Sequence, residues 1–192
     1  MAKPNSALVT AAKPVAAGAI SAASIDAKVP TDASTELDAA FKRLGYVSED
    51  GLTNGIEMDT EDVKDWGGDT VLVIRTSRTE TFTWKFIQTL DPDVLAEVYG
   101  ADNVKGTLET GLTVIHNSSE LPRRAYVFEM LMTGGVIKRI VVPNSQITEI
   151  GEVVYTKGEP VGYEVTLMCY PDEAGNTVYE YLAKPKPQSS EG

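Results

Sequence analysis

The segment Arg78-Thr-Glu-Thr-Phe-Thr-Trp-Lys-Phe-Ile-Gln88 alternates polar and apolar side chains along most of its length. Successive side chains of an extended strand point to opposite faces. Phe82, Trp84 and Phe86 therefore share one face, while Lys85 and the intervening threonines share the other. Strands with one apolar and one polar face are typical of antiparallel sheets that cover a core on one side. The segment predicts a mainly β fold.

Further β patterns lie on both sides of this segment, and they are interrupted by one helix. Predicted strands cover residues 71–74, 110–116, 124–132, 136–142, 147–155, 161–170 and 177–182. Gly134-Gly135 separates two of these strands and indicates a hairpin. The helix is predicted over 91–99, with Asp91 as N-cap, Pro92 at the first helical position and Gly100 at its end.

The chain divides into three parts by composition. Residues 1–34 are rich in Ala, Ser, Pro and Lys, and we expect them to form an extended N-terminal arm in which residues 18–25 become a strand only against another partner. Residues 35–182 form the β domain, which begins with a predicted short helix over 35–44. Residues 183–192 are predicted to be a flexible, polar C-terminal tail.

Residues 46–69 are predicted to be a long acidic loop. Asp-Gly, Asn-Gly and Gly-Gly pairs within it are turn signals. Seven acids and one base between Ser48 and Asp65 give this part a charge of −6. Apolar residues are nevertheless spread through it, and a purely solvated loop does not need them: Leu52, Ile56, Met58 and Trp66. Because a loop of this length is usually functional, we expect these four residues to contact a neighbouring subunit.

Composition excludes several classes of function. The 28 acidic and 17 basic residues give a net charge of −11, which argues against binding to nucleic acid or to an anionic membrane. The single cysteine, Cys169, excludes an intrachain disulfide and fits a reducing compartment. Its place in an alternating strand predicts a buried, inert thiol.

No catalytic constellation is present in the sequence. His116 is the only histidine, and no phosphate-binding glycine motif, metalloprotease motif or nucleophile elbow occurs. Glu57, Asp59 and Glu61 alternate and offer carboxylates to a divalent cation, but they do not match a calcium loop, and a solvated acidic surface is the simpler interpretation. We therefore expect no enzyme activity, no cofactor and no metal site.

Basic residues cluster in two predicted strands joined by the glycine hairpin. If that hairpin forms, we expect its basic residues to lie close together: Arg123, Arg124, Lys138 and Arg139. Such a patch suits either phosphate or the acidic loop of another copy. The second interpretation is favoured, since charge complementarity across an interface sets register and choice of partner.

Three stretches resemble a known family. The stretches are Val29-Pro30-Thr31-Asp32-Ala33, residues 41–51 (Phe-Lys-Arg-Leu-Gly-Tyr-Val-Ser-Glu-Asp-Gly) and residues 61–69 (Glu-Asp-Val-Lys-Asp-Trp-Gly-Gly-Asp). The predicted strand over 79–87 and the helix up to Gly100 follow them. In this order they are similar to the major tail tube proteins of long-tailed (siphovirus-type) bacteriophages, particularly those of actinobacteria. The resemblance covers roughly residues 15–182.

The resemblance implies a tail-tube-type β-sandwich or barrel with one flanking α-helix, a long loop and an extended arm. It implies hexameric rings that stack into a tube, assembled in the host cytoplasm and located in the virion tail. It also implies partners: the tape measure protein in the lumen, and tail terminator and distal tail proteins at the ends. DNA passes through such a tube without specific binding, which the net negative charge suits.

Two other classes of function stay open from the residues alone. A secreted or surface β-sandwich for adhesion requires an export signal, and the alanine-rich N-terminus is a weak one because Lys13 and Pro14 interrupt it. A carboxylate-based hydrolase requires a selected pair of acids, and no pair stands out.

Overall fold

The computed structural model describes residues 3–15 and 18–184. It contains eleven strands and one α-helix among these residues. The strands are β1 (Ala12–Pro14), β2 (Ile20–Ser24), β3 (Lys42–Arg43), β4 (Val47–Lys64), β5 (Thr70–Phe86), β6 (Val104–Lys105), β7 (Thr113–Val114), β8 (Arg124–Met132), β9 (Val136–Ile150), β10 (Tyr163–Cys169) and β11 (Tyr179–Ala183). The helix α1 spans Pro92–Tyr99, and its N-cap Asp91 accepts a hydrogen bond from the amide of Asp93, as predicted.

Nine of the strands form one antiparallel sheet. Its main order is β3-β2-β8-β9-β10-β5-β4, with β1 added to β8 and β11 added to β9. The long strand β9 pairs with β8 and β11 through its first half and with β10 through its second half. The mainly β fold with a single helix is confirmed.

Side-chain alternation along the strands creates an apolar layer on each face of the sheet. Tyr126 and Phe128 of β8 join Phe82, Trp84 and Phe86 of β5 in the larger layer, and α1 covers this layer with Val94, Leu95 and Val98. The alternate β8 residues Ala125 and Val127 pack with Phe41 and Val141 in a smaller layer on the opposite face. The predicted apolar face of β5 is therefore the centre of the core.

The predicted short helix over 35–44 is wrong. These residues turn across the outer face of the sheet, where Phe41 is buried, and only Lys42–Arg43 form a strand. The carboxylate of Asp32 accepts hydrogen bonds from the amides of Ser34 and Thr35, both 2.6 Å long. A turn stabilised by an aspartate side chain competes with a helical start at this point.

The predicted loop over 46–69 is also wrong as secondary structure. Residues 47–64 form β4, which pairs with β5 from Val47↔Phe86 to Lys64↔Thr70 and so makes a long hairpin. The Asp-Gly signal marks a register shift between Val47 and Leu52 with Gly51 at φ 74°, and only the Gly-Gly signal marks the actual turn. Continuous pairing with β5 outweighs the low strand propensity of the acidic residues.

The N-terminal boundary is corrected as well. Residues 20–24 belong to the domain rather than to an arm, because β2 pairs with β8 of the same chain and Ile20 and Ala22 are buried in the larger layer. Residues 12–14 pair with the end of β8. The predicted strand over 110–116 is reduced to Thr113–Val114. Most of the predicted C-terminal tail, residues 185–192, lies outside the described residues.

Candidate assembly surfaces

The distal half of the β4–β5 hairpin projects from the domain. β5 pairs with β10 only from Glu80 to Phe86, so residues 57–79 have no strand neighbour except each other in the described chain. Nine residue steps from Thr79 to Thr70 correspond to about 30 Å of extended chain. The projecting part, residues 57–79, is called the arm hairpin below.

The arm hairpin and its root expose an unusual number of large apolar side chains: Ile56, Met58, Val63, Trp66, Val71, Leu72, Val73 and Ile74. Three of the predicted contact residues, Ile56, Met58 and Trp66, are among them, whereas Leu52 is partly buried against the core of its own chain. Contiguous exposed apolar surface usually marks an interaction site. The arm hairpin is therefore the principal candidate for a contact surface.

The sequence indicated a strand at Val71–Ile74 but not its exposure. A run of four apolar residues is typical of a strand buried on both faces. Here both faces lie open in the single chain. The pattern and the exposure therefore disagree in the single chain, which adds Val71–Ile74 to the candidate contact surface.

The tip of the arm hairpin is an ordered turn that presents Trp66. The amide of Asp65 donates to the carbonyl of Asp69 over 2.9 Å, and the Asp65 carboxylate accepts from the amide of Asp69 over the same distance. Gly68 adopts φ 93°, a conformation that glycine tolerates without strain. The indole of Trp66 is fully exposed.

The root of the arm hairpin is held by a buried polar cluster. The Glu80 carboxylate accepts hydrogen bonds from Arg78 at 2.9 Å, from the hydroxyl of Thr177 at 2.5 Å and from the side-chain amide of Asn54 at 3.5 Å. Asn54 also donates to the carbonyl of Thr81 over 3.1 Å. These bonds tie β4, β5 and the segment before β11 together where the hairpin leaves the body.

The predicted single basic patch is wrong. Arg124 lies opposite Ser145, and Lys138 lies opposite Met130, six positions further along β8. Six strand steps separate the two ends of the hairpin by about 20 Å. The two basic pairs therefore lie at opposite ends of β8.

Arg139 is not a surface residue. Its buried guanidinium donates to Glu129 over 2.6 Å and 3.2 Å, and to the carbonyls of Asp32 and Thr35 over 2.9 Å and 2.8 Å. It therefore clamps the segment before β3 onto the sheet. As a contact between subunits, Arg139 is excluded in this conformation because it is buried within its own chain.

The other basic residues also have partners within the chain. Lys138 pairs with Glu180 of β11 at 2.8 Å. The guanidinium of Arg123 lies 3.9 Å from the ring centre of Tyr170 and donates to Asn144 over 3.3 Å. Their role between subunits stays a prediction.

Arg124 joins α1 to the sheet rather than facing outward freely. It forms an ion pair with Glu97 of α1, and the hydroxyl of Tyr126 donates to the same carboxylate over 2.8 Å. Burial raises the pKa of Glu97 although Arg124 opposes the effect. The buried carboxylate holds α1 to the sheet through Arg124 and Tyr126.

Other residues considered for chemistry are accounted for by packing. His116 stacks on Tyr99 with ring centres 4.3 Å apart. Cys169 is buried, and burial raises the pKa of its thiol to about 12, as expected for an inert residue. Within residues 3–15 and 18–184 no group of three or more acidic, histidine or cysteine side chains is arranged to hold a metal ion. In the same part of the chain no helix is long and apolar enough to cross a membrane.

Comparison with known protein families shows to which family the chain belongs. Residues 1–191 match the family model described as phage tail tube protein. The chain belongs to this family. Its members are structural proteins of the virion tail tube and not enzymes, so the adhesion and hydrolase alternatives are set aside. The placement among long-tailed phages of actinobacteria stays a prediction.

The chain is also similar to several solved structures, at 14% identity or less and with TM-scores of 0.44 or less. The chain is similar to the tube-terminating cap of the anti-feeding prophage (14% identity, TM-score 0.42, covering 89% of this chain and 93% of that one). It is also similar to a chain of the PVC sheath-tube complex (10% identity, TM-score 0.44, 89% and 93% covered) and to one of a native gene transfer agent virion (12% identity, TM-score 0.39, 89% and 98% covered). A comparison with curated proteins found no match.

Proposed function

We propose that the chain forms hexameric rings that stack into the tail tube, and that the arm hairpin joins one ring to the next. The observation that carries this proposal is the exposed apolar surface of residues 57–79, which the chain's own core does not use. Stacking repeats one head-to-tail contact indefinitely, and this kind of contact produces a filament rather than a closed oligomer.

Within a ring, the free strand edges of the sheet supply the lateral contacts. β4 is the terminal strand of the main order, and β11 lies beside β9 as a branch. Exposed strand edges tend to pair with other chains, and closure into a shared barrel removes them. An inner barrel closed by strands of neighbouring copies therefore gives these free strand edges pairing partners.

The tube encloses the tape measure protein during assembly and conducts DNA during ejection. The net charge of −11 supports this role because a conduit must not bind the polyanion that it conducts. At physiological salt, repulsion acts over about 8 Å, so acidic side chains that face the lumen keep DNA from adhering. Terminator and distal tail proteins cap the two ends, and assembly takes place in the host cytoplasm.

The test removes the arm hairpin and keeps the body. Residues 59–77 are replaced by Asn-Gly, which favours a tight hairpin turn between Met58 and Arg78, a directly opposed pair of the native hairpin, and keeps the bond from Arg78 to Glu80. The shortened chain is expected to fold, because the deleted residues contribute nothing to either apolar layer. It is expected to form no tubes by negative-stain electron microscopy, and tubes of normal length from this variant contradict the proposal.

A further inference from the structure

An apolar groove lies on the body of the subunit, beside the part of β4 that precedes the arm hairpin. It has a volume of about 490 Å³ and runs between the N-terminal segment and the beginning of β4. Buried Ile20 and Phe128 line it together with the partly buried Val47, Leu52 and Met130. No described side chain of the same molecule fills this space.

The exposed indole of Trp66 is the natural occupant of such a groove. Tryptophan buries 150–250 Å² in an interface and is among the residues most often found as an interface anchor. In the single chain it lies at an ordered turn, in full contact with water. The turn fixes the backbone at the tip, so little backbone freedom is lost when the side chain docks.

The distance from the groove to the tip of the arm hairpin is about the diameter of the subunit body. Leu52 in the groove and Lys64 beside the tip lie on the same strand, twelve steps apart, which corresponds to about 40 Å. A body of about 150 residues has a radius of gyration of about 15 Å and hence a diameter of about 40 Å. A copy displaced along the hairpin by one body diameter therefore brings its groove to the Trp66 of the first copy.

Charges beside the two surfaces can pair in this arrangement. The groove is bordered by Lys13 and by Glu49 and Asp50. The tip carries Lys64 next to Trp66, together with Asp65 and Asp69. Each side thus offers both signs, so that Lys13 can meet a tip aspartate while Lys64 meets Glu49 or Asp50. Pairs of this kind set the register of a contact.

We propose that Trp66 of one copy inserts into the groove formed by Ile20, Val47, Leu52, Phe128 and Met130 of a second copy in the adjacent ring. This proposal rests on the proposed function, because it names the receptor for the arm hairpin. The contact is heterologous: the tip of each copy is donor and the groove of each copy is acceptor. It repeats along the stack without closing.

Photo-crosslinking in assembled tubes tests the contact. Trp66 is replaced by p-benzoylphenylalanine, which keeps a large aromatic group at the tip, and the variant is co-assembled with unmodified chains labelled with ¹⁵N. Crosslinked peptides are expected to join position 66 to labelled residues 13–15, 18–20, 46–52 or 128–130. The same probe at Val154, which is exposed in the segment after β9, serves as the control and is expected to give no crosslink to the groove.

Crosslinks from position 66 that lie outside the groove overturn the proposal. If the Trp66 variant assembles into tubes but gives no crosslink to the groove, the proposed contact is wrong and the proposed function stands. If the unmodified chain forms no tubes, the proposed function is wrong and the proposed contact is wrong with it. If the probe itself prevents assembly, methionine oxidation in unmodified protein decides. Met130 is expected to be oxidised at least fivefold more slowly in tubes than in monomers, and equal rates overturn the proposal.

Discussion

Replacing Leu72 and Ile74 by threonine removes apolar surface from the arm hairpin without disturbing the single chain. The two side chains are 54% and 46% exposed, so about half of each is left to bury in an assembly. Full burial of such a side chain stabilises by about 1.5–3 kcal/mol. The remaining half is worth about 1 kcal/mol per residue, or about 2 kcal/mol for Leu72→Thr/Ile74→Thr. Since 1.4 kcal/mol corresponds to a tenfold change, the concentration needed for tube assembly is expected to rise about 30-fold.

Sedimentation of tubes from subunits at increasing total concentration measures this value directly. Threonine is β-branched and favours a strand, so the thermal midpoint of the unassembled subunit is expected to stay within about 2 °C of the wild-type value. Val154→Thr, at an exposed position outside the hairpin, is the matched control and is expected to change neither quantity. A double variant that assembles at the wild-type concentration refutes the conclusion that these side chains are buried between subunits.

Three further predictions concern the body of the subunit. Arg139→Met removes the closest partner of the buried Glu129 carboxylate, which keeps only Arg43 at 3.8 Å, and is expected to lower the free energy of unfolding in urea by about 3 kcal/mol. Arg139→Met/Glu129→Leu is expected to recover part of this loss, because it removes the carboxylate but not the need of the Asp32 and Thr35 carbonyls for a donor; equal losses in both variants contradict a cost of the uncompensated carboxylate. Burial raises the pKa of Glu97 above 4.5, so its carboxyl binds a proton more tightly in the folded state than in the unfolded state. The contribution of Glu97 to stability therefore falls as pH rises from about 4.5 through the raised pKa, and the wild-type protein is expected to lose stability relative to Glu97→Gln over that window. A stability difference between the two proteins that stays constant with pH contradicts the raised pKa. Cys169, with a thiol pKa of about 12, is expected to react with a thiol reagent at pH 8 only after urea unfolds the chain, and rapid labelling of the native subunit refutes its burial.

Local patterns predicted the centre of the fold. The alternation of Phe82, Trp84 and Phe86 identified the strand that carries the core, and the cap at Asp91 identified the helix. The glycine signal between β8 and β9 gave the hairpin, whose turn is Thr133–Gly135. Each of these features is decided by residues near one another in sequence, which is why a pattern is sufficient to find it.

The arm hairpin was missed because its strands depend on partners rather than on propensity. Acidic residues and glycines within 46–69 favour turns, and only the pairing with β5 makes the segment extended. The same reasoning applies to residues 20–24: the sequence predicted a strand that forms only against a partner, and that partner is β8 of the same chain. Strand pairing between distant segments cannot be read from a local window.

The burial of Arg139 was within reach of the sequence. The turn between β8 and β9 places Met132 opposite Val136 and therefore Glu129 opposite Arg139. A glutamate facing an arginine in the middle of an apolar hairpin indicates an internal pair rather than a surface patch. The two backbone carbonyls that complete the clamp, those of Asp32 and Thr35, follow from tertiary structure alone.

Electron cryomicroscopy of tubes assembled from the purified chain tests most directly whether the arm hairpin joins the rings. In a helical reconstruction, residues 57–79 of every copy are expected to contact a copy in the adjacent ring, with Val71–Ile74 covered along the contact. Tubes in which these hairpins lie in solvent, or contact only copies of their own ring, contradict the conclusion that the arm hairpin links ring to ring.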